Sequence, residues 1–470
     1  MDALTTALST SVLGTFRVLV VLFVGILASK WPRNEPLLTA ETCRSFSRTC
    51  ALVFLPALVI SSTGATLNPA ALRDSWQLVA AGSFTIGVSI AAAWAGERVF
   101  FRRPEDRRAF RPVGLAITFA NSAGFPLLLM DALCEQDYIR SDFDDDAVEC
   151  LTQATGMIFI YVVVWQVYFF GWGFFALGHD DTLEHKLTGQ LTEPHSRPKV
   201  GRGVSPGSES SDALPQQEAH RGRRIEATSY QERAAAGGDS VVAIDIEPYA
   251  GETSSQAVNT ANNDERCGVG VEYSWAGLRK RILRLLVSPN IIAVTIGVVT
   301  AMIPPLQRVL FANPRAILRP LGAALETIGE PEVAVSTLVM AGSLVQVPTV
   351  AAASTATRGG QSDAAQRWRR FRILAGFLHV VCRLVVVPAV GFAMFWLARM
   401  HSSMMGENRL MHLVLLIEFA MPSAAFVIVS LNQLRLPATA GFMARLYLWQ
   451  YGASMFTITC WTALAVHLVY

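Results

Sequence analysis

Residues 112–134 read "PVGLAITFANSAGFPLLLMDALC". The flanks of this stretch are apolar enough to lie in lipid, yet its centre holds Asn121, Ser122, Gly124 and Pro126. Proline removes a backbone donor, and its ring clashes with the carbonyl four residues back. Glycine loosens a helix further. Together they are expected to split the span into two half-helices. Broken backbone at membrane depth is tolerated only inside protein or beside a watery cavity. The freed N–H groups then face the cavity with a helix dipole behind them, which suits an anion. Asn121 adds a donor and an acceptor, Ser122 a hydroxyl and Phe125 an apolar wall. For this motif alone, a kink that serves only packing is the alternative reading.

Composition agrees with a membrane chain. The 470 residues are 52% hydrophobic and 16% charged, where soluble proteins carry about 25% charged residues. The charges are clumped and leave long uncharged runs, and a helix needs about 20 apolar residues to cross a bilayer. A net charge of +2 gives no reason to expect a nucleic-acid partner. The seven cysteines show no metal-ligand spacing, and there is no P-loop or HExxH motif. Neither paired catalytic acids nor a His-rich cluster is present, so an enzyme is not expected, nor any metal or cofactor. The run "VLVVLFVGILAS" at 18–29 could be a signal peptide. It reads better as a retained first span, because further spans follow and Arg17 sits inside its start.

Ten spans are expected. The first five lie near 10–29, 45–64, 76–96, 112–133 and 151–177. The second five lie near 286–303, 321–346, 372–398, 410–431 and 443–468. Between them, residues 178–283 are rich in Ser, Gly, Pro and charge. This segment buries too little apolar surface to offset its ordering entropy and reads as a disordered linker. The organisation is therefore a five-helix unit over 1–177, the linker over 178–283 and a second five-helix unit over 284–470.

The halves match in three places. Trp165-Gln166 recurs as Trp449-Gln450, and Pro56 with "ALVISSTGATL" recurs as Pro331 with "EVAVSTLVMAGSL". "NSAGFP" at 121–126 recurs as "MPSAAF" at 421–426. An odd number of spans per half forces opposite orientations, the inverted repeat of many secondary transporters. Two breaks in matching places outweigh the packing-kink reading and point to facing crossovers. Pro422, Ser423 and Phe426 join the candidate site on that ground. Basic residues concentrate in loops one, three and seven, against an exception in loop six, so the odd loops and the linker are expected to be cytosolic.

Ionisable residues inside spans are functional candidates. Glu418 stands four residues before Pro422 and either lines the cavity or pairs with a basic neighbour. Arg383 either joins the site or holds the bundle together by an ion pair. Arg17, Asp131 and the group Glu326, Glu330 and Glu332 read as residues near span ends, where long side chains snorkel. Cys134 and Cys150 bracket the acidic fourth loop. A disulfide and two free thiols both remain open there, since only an oxidising lumen permits the bond.

The stretches "TFRVLVVLFVGILAS", "FLPALVISS", "NSAGFPLLLMDALC", "YVVVWQVY", "CRLVVVPAVG" and "LYLWQYGAS" together resemble the PIN-LIKES branch of the auxin efflux carrier (membrane transport protein) family. The resemblance covers both helical blocks and not the linker. It implies an all-α membrane protein of ten helices in two inverted five-helix repeats, with broken crossovers in spans four and nine. It further implies transport of an aromatic carboxylate such as indole-3-acetic acid, and residence in the endoplasmic reticulum membrane, with the plasma membrane as the other location. A homodimer is compatible with it. Two positions depart from the family's pattern. Gly124 or Phe125 stands where relatives often place a second Asn, and Ser423, Ala424 or Ala425 stands where this branch often places another. The alternatives to this reading as a secondary carrier are a sodium- or proton-coupled symporter of the same fold using Glu418 or Asp131, and a receptor or scaffold signalling through the linker.

Overall fold

The computed structural model describes residues 20–31, 36–67, 76–178, 287–346, 362–401 and 408–470, with isolated positions at 16, 69, 73, 183, 184 and 187. The described residues all fall in one compact unit, Met1–Pro194 with Ser274–Tyr470. Almost all of the expected linker, and the basic residues Arg17, Arg33 and Arg358, lie outside the described residues.

The described residues form helices and no strands, apart from one isolated bridge. Fourteen helices are labelled here in chain order. They are α1 (Val20–Lys30), α2 (Ala40–Thr66), α3 (Trp76–Phe100), α4 (Pro104–Thr118), α5 (Gly124–Cys134), α6 (Ala147–Gly173) and α7 (Pro289–Met302). There follow α8 (Pro304–Ala312), α9 (Arg319–Gly329), α10 (Glu332–Gln346), α11 (Gln366–Met400), α12 (Arg409–Ala420), α13 (Phe426–Gln433) and α14 (Pro437–Val469). Six continuous helical stretches are long and apolar enough to cross a membrane: α2, α3, α6, α9 with α10, α11 and α14. A seventh is formed if α7 and α8, bent by 103°, count as one. Each covers a stretch read as a span in the sequence. Large apolar side chains such as Trp449 and Phe456 remain exposed on these helices, as lipid-facing surfaces require.

Prolines shape the long helices. In α2 the turn Cys50–Phe54 widens to a π-helix, and Pro56 follows. In α11 the turn Cys382–Val386 does the same, and Pro388 follows. In both, proline stands six residues after the cysteine that opens the turn. Its missing N–H leaves the carbonyl four residues back without a helical partner. In α11 that carbonyl belongs to Leu384, and the Trp461 indole N–H of α14 donates to it at 2.9 Å. The loss within one helix is thus made good by another, and this fixes the register of α11 on α14. At the α7–α8 corner, Pro304 and Pro305 force the bend. Gln307 then donates to Gly64 O at 3.0 Å and Leu67 O at 2.6 Å, capping the carbonyl end of α2. Gly329 ends α9 against α2, where an added Cβ would lie 2.6 Å from Leu58 Cα. Only glycine admits that approach.

At the start of α14, Glu184 accepts from Ala438 N at 3.0 Å and Thr439 N at 2.6 Å. It therefore supplies the carboxylate favoured at a helix N-terminus. At the opposite end of α14, Tyr470 packs edge-on against Tyr138 of the fourth loop at 5.8 Å. Burial, with Asp142 nearby, pushes the Tyr470 hydroxyl above its ordinary value.

Cys134, at the end of α5, and Cys150, in the first turns of α6, form a disulfide. The bond closes a loop with a sequence separation of 16, and a loop of that size limits the unfolded chain by about 3 kcal/mol in the chain-entropy account. Cys150→Ser is expected to lower the melting temperature in detergent. Dithiothreitol should shift the parent by the same amount and leave the variant unmoved. A parent insensitive to reductant would remove the bond from the stability of this fold.

Candidate functional site

The helical pairs α4–α5 and α12–α13 are each interrupted by five residues, 119–123 and 421–425. The sequence places each break. If the helix continued upstream from α5, the Pro126 ring would meet the carbonyl of Ser122, four residues back. Helical backbone starts instead at Gly124, which leaves proline in the first turn, where its missing N–H is no loss. In the second break Met421 precedes Pro422 and is extended, with ψ at 143°, as a residue before proline prefers.

The two breaks lie antiparallel and join through their backbones. Asn121 N donates to Pro422 O at 2.7 Å, and Ala424 N donates to Phe119 O at 2.9 Å. This is the single bridge in the described residues, Ala120 with Ser423. Chain that has left both helices thereby satisfies part of its own hydrogen bonding, as backbone away from water must. Asn121 Oδ1 also accepts from Gly124 N at 3.3 Å, holding the start of α5.

The second break is clamped from α14. Gln450 accepts from Ser423 N at 3.2 Å and donates to Ser423 Oγ at 3.0 Å. The Tyr451 and Tyr447 hydroxyls donate to the carbonyls of Ser423 and Ala424, each at 3.0 Å. From α11, Arg383 donates Nε–H to Met421 O at 2.7 Å and reaches Ser89 Oγ of α3 at 3.3 Å. A cation at the carbonyl end of α12 is the favourable pole for it. Glu418, also fully buried, interacts electrostatically with Arg383 and faces Ser122. It forms no ion pair within 4 Å, and neither carboxylate oxygen has a hydrogen-bond partner among the described residues.

In front of the breaks is a cavity of about 70 Å³. Both N-terminal turns open onto it, through Gly124 and Phe125 of α5 and Ala425 and Phe426 of α13. Asn121 and Ser122 form one polar edge, and Gln166 of α6 forms another. Gln166 is fully buried, and neither amide atom has a partner among the described residues. Aromatic rings make the rest of the wall: Phe125 lies 5.7 Å from Tyr451, and Trp165 meets Phe426 edge-on at 6.3 Å. The opposite wall belongs to α10, through Glu332, Val333, Ser336 and Thr337.

Of the candidates read from the sequence, Asn121, Ser122, Gly124, Phe125 and Phe426 line this cavity. Pro126, Pro422 and Ser423 shape or clamp the breaks without lining it, and Arg383 and Glu418 lie behind them. Asp131 is exposed on α5 and lies outside this cluster. Glu326 pairs with Arg319 at 3.1 Å and Glu330 is exposed, in keeping with residues at a span end. Glu332 departs from that expectation. It is 8% exposed and lines the cavity, because α10 starts afresh after Pro331 with Val333 against Gly124. Gln166, Gln450, Tyr447 and Tyr451 belong to the Trp-Gln matches between the halves. That match is the signal by which they could have been found as site residues.

The apolar helices, with two facing breaks around a small cavity, belong to a multi-pass membrane protein. The chain matches the membrane transport protein family over residues 11–462. It belongs to that family, the auxin efflux carrier family, which the resemblance carried by the two helical blocks had implied. No curated protein matches it.

Proposed function

We propose that this transporter is a secondary carrier for a small organic anion, an aromatic carboxylate such as indole-3-acetic acid. The observation that carries the reading is the meeting of two helix N-terminal turns at one aromatic-walled cavity where the Gln166 amide has no partner among the described residues. Helix N-termini favour negative charge, and ring faces suit the flat body of such an acid. Asn121, Ser122 and Gln166 would take the carboxylate, while Phe125, Trp165, Tyr451 and Phe426 would flank the ring. Ser423, Pro422 and Pro126 hold the two turns in place.

In this reading the chain is a PIN-LIKES member with ten spans. Two inverted repeats over 1–177 and 284–470 are joined by a polar, cytosolic linker over 178–283. α4–α5 and α12–α13 are the crossovers of spans four and nine. The endoplasmic reticulum is its favoured membrane, and a homodimer fits the lipid-facing surfaces. A cavity of about 70 Å³ has room for about five waters at roughly 10–15 Å³ each. An acid with a fused ring needs more, so one helical group must move against the other to admit it, as alternating access requires.

Purified protein in proteoliposomes is expected to accumulate labelled indole-3-acetate or a related aromatic acid above empty vesicles, with unlabelled aromatic acids competing. Uptake of none across a panel of aromatic and aliphatic acids would sink the reading. Sodium dependence of the flux would move it to a sodium-coupled symporter.

A further inference from the structure

Glu332 is the one acidic side chain lining the cavity among the described residues. It sits in the first turn of α10, across from Asn121 and Ser122. The groups that face it are few. From α2, the Cys50 thiol lies 3.8 Å from Oε1 and 3.7 Å from the Glu332 carbonyl. From α14, Tyr451 shares the cavity wall with its hydroxyl committed to Ser423 O. From the start of α2, Cys43 is buried against Gly342, while Arg44 and Arg48 form no ion pair with Glu332. α13 and α6 bring no titratable side chain to this wall: Phe426, Phe159, Trp165 and Gln166 line it. Arg383, the buried cation of the fold, is engaged behind the breaks with Met421 and Ser89.

A carboxylate in a largely apolar chamber, with a thiol as its neighbour and no cation among the described residues, has only the first turn of α10 to hold its negative charge, whereas the substrate's charge would meet the N-terminal turns of both α5 and α13. A substrate carboxylate would bring a second negative charge into the same chamber. Two such charges at close range in a medium of low dielectric repel strongly, and one must be neutralised. The helix N-termini favour the charge on the substrate, which lies at the break.

We propose that Glu332 is the proton-binding residue of the carrier, and that the anion enters the cavity only together with a proton on the Glu332 carboxylate. The inference rests on the anion-carrier reading above. The proton comes from water on the side to which the cavity opens and adds to a Glu332 oxygen. It leaves to water on the other side after the anion departs, so no other reactant is needed. One anion and one proton cross together and the cycle moves no net charge. A purely structural Glu332, serving as an acidic first-turn residue for α10, would leave anion binding independent of this residue's protonation.

The test is the pH dependence of anion affinity for the full-length protein in detergent, by calorimetry with indole-3-acetate and two other aromatic carboxylates between pH 6 and 9. The dissociation constant is expected to rise at the alkaline end, approaching tenfold per pH unit, as linkage to one proton requires. In weak buffer at that end, an indicator dye should report about one proton taken up per anion bound. Glu332→Gln is expected to bind with a flat profile near the low-pH affinity of the parent. A flat parental profile with no proton uptake overturns the proposal, as does a Glu332→Gln profile that keeps the parental slope. Preference for an acid bearing an ammonium group over its amine-free match would also overturn it, since Glu332 would then pair with the amine. If Glu332→Gln does not fold, the parental slope and dye signal decide alone. If no acid binds at any pH, the carrier reading falls and this proposal with it, a result distinct from pH-independent binding.

Discussion

Arg383→Ala is expected to destabilise the protein by roughly 3–5 kcal/mol, the range for leaving a buried opposite charge uncompensated together with an unpaired buried carbonyl. Arg383 is fully buried. It holds Met421 O at 2.7 Å and Ser89 Oγ at 3.3 Å, so α11, α3 and the end of α12 are joined through one guanidinium. Its removal leaves that carbonyl without its donor and Glu418 without the cation that interacts with its buried carboxylate. Arg383→Lys should recover only part of the loss, since an ammonium lacks the planar fork that serves two partners at once. Arg383→Met combined with Glu418→Gln should recover more than Arg383→Met alone, because the pair is then removed without an orphan charge. Melting in detergent, read with size exclusion, measures all four variants against the parent. If Arg383→Ala melts with the parent, the guanidinium is not what joins the three helices.

The expected double-variant recovery separates two roles that the sequence left open. Arg383 was legible as a buried cation, because a lone Arg between Val, Leu and Pro inside an apolar run has nowhere polar to go. Its partner was not. Glu418 is an obvious ion-pair candidate by charge, yet the hydrogen bond goes to the carbonyl of Met421, three residues further on. Sequence gives no measure of which carbonyl a bent chain leaves free.

The same limit explains which parts of the site could be read. The first break was visible because Gly124 and Pro126 dictate backbone geometry locally. The long continuous spans were visible because apolar length alone marks them. The pairing of the two breaks, Asn121 N to Pro422 O, joins residues about 300 positions apart and has no local signature. Gln450 and Gln166 showed only as a repeated Trp-Gln pair. Their different fates, one clamping Ser423 and the other unpaired at the cavity, depend on packing. Glu332 misled the reading because acids near a span end usually reach water, whereas the restart of the helix after Pro331 places this one at the cavity wall.

The second large effect is expected at the first break, where Asn121→Ala and Pro126→Ala should part company. Asn121 gives its backbone N–H to Pro422 and its side-chain oxygen to Gly124 N, and its side chain lines the cavity beside Tyr451. If that side chain holds the substrate carboxylate, its loss removes a hydrogen bond to a charged partner, about 1.5–3 kcal/mol, or roughly 10- to 150-fold in affinity. The lost contact with Gly124 N resembles loss of a helix cap and should lower stability by about 1 kcal/mol. Pro126→Ala acts through the backbone. Without the ring, an alanine N–H can bond the carbonyl of Ser122 and the helix can grow one turn toward α4. That growth would pull Asn121 off Pro422 and close the N-terminal turn of α5. Uptake is then expected to vanish while the melting temperature holds or rises. A break that serves packing alone predicts the opposite pair of results, with normal uptake for Asn121→Ala and simple destabilisation for Pro126→Ala. Uptake and melting temperature measured on both variants tell the two apart, and normal uptake of every aromatic acid by Asn121→Ala would take this residue out of the site.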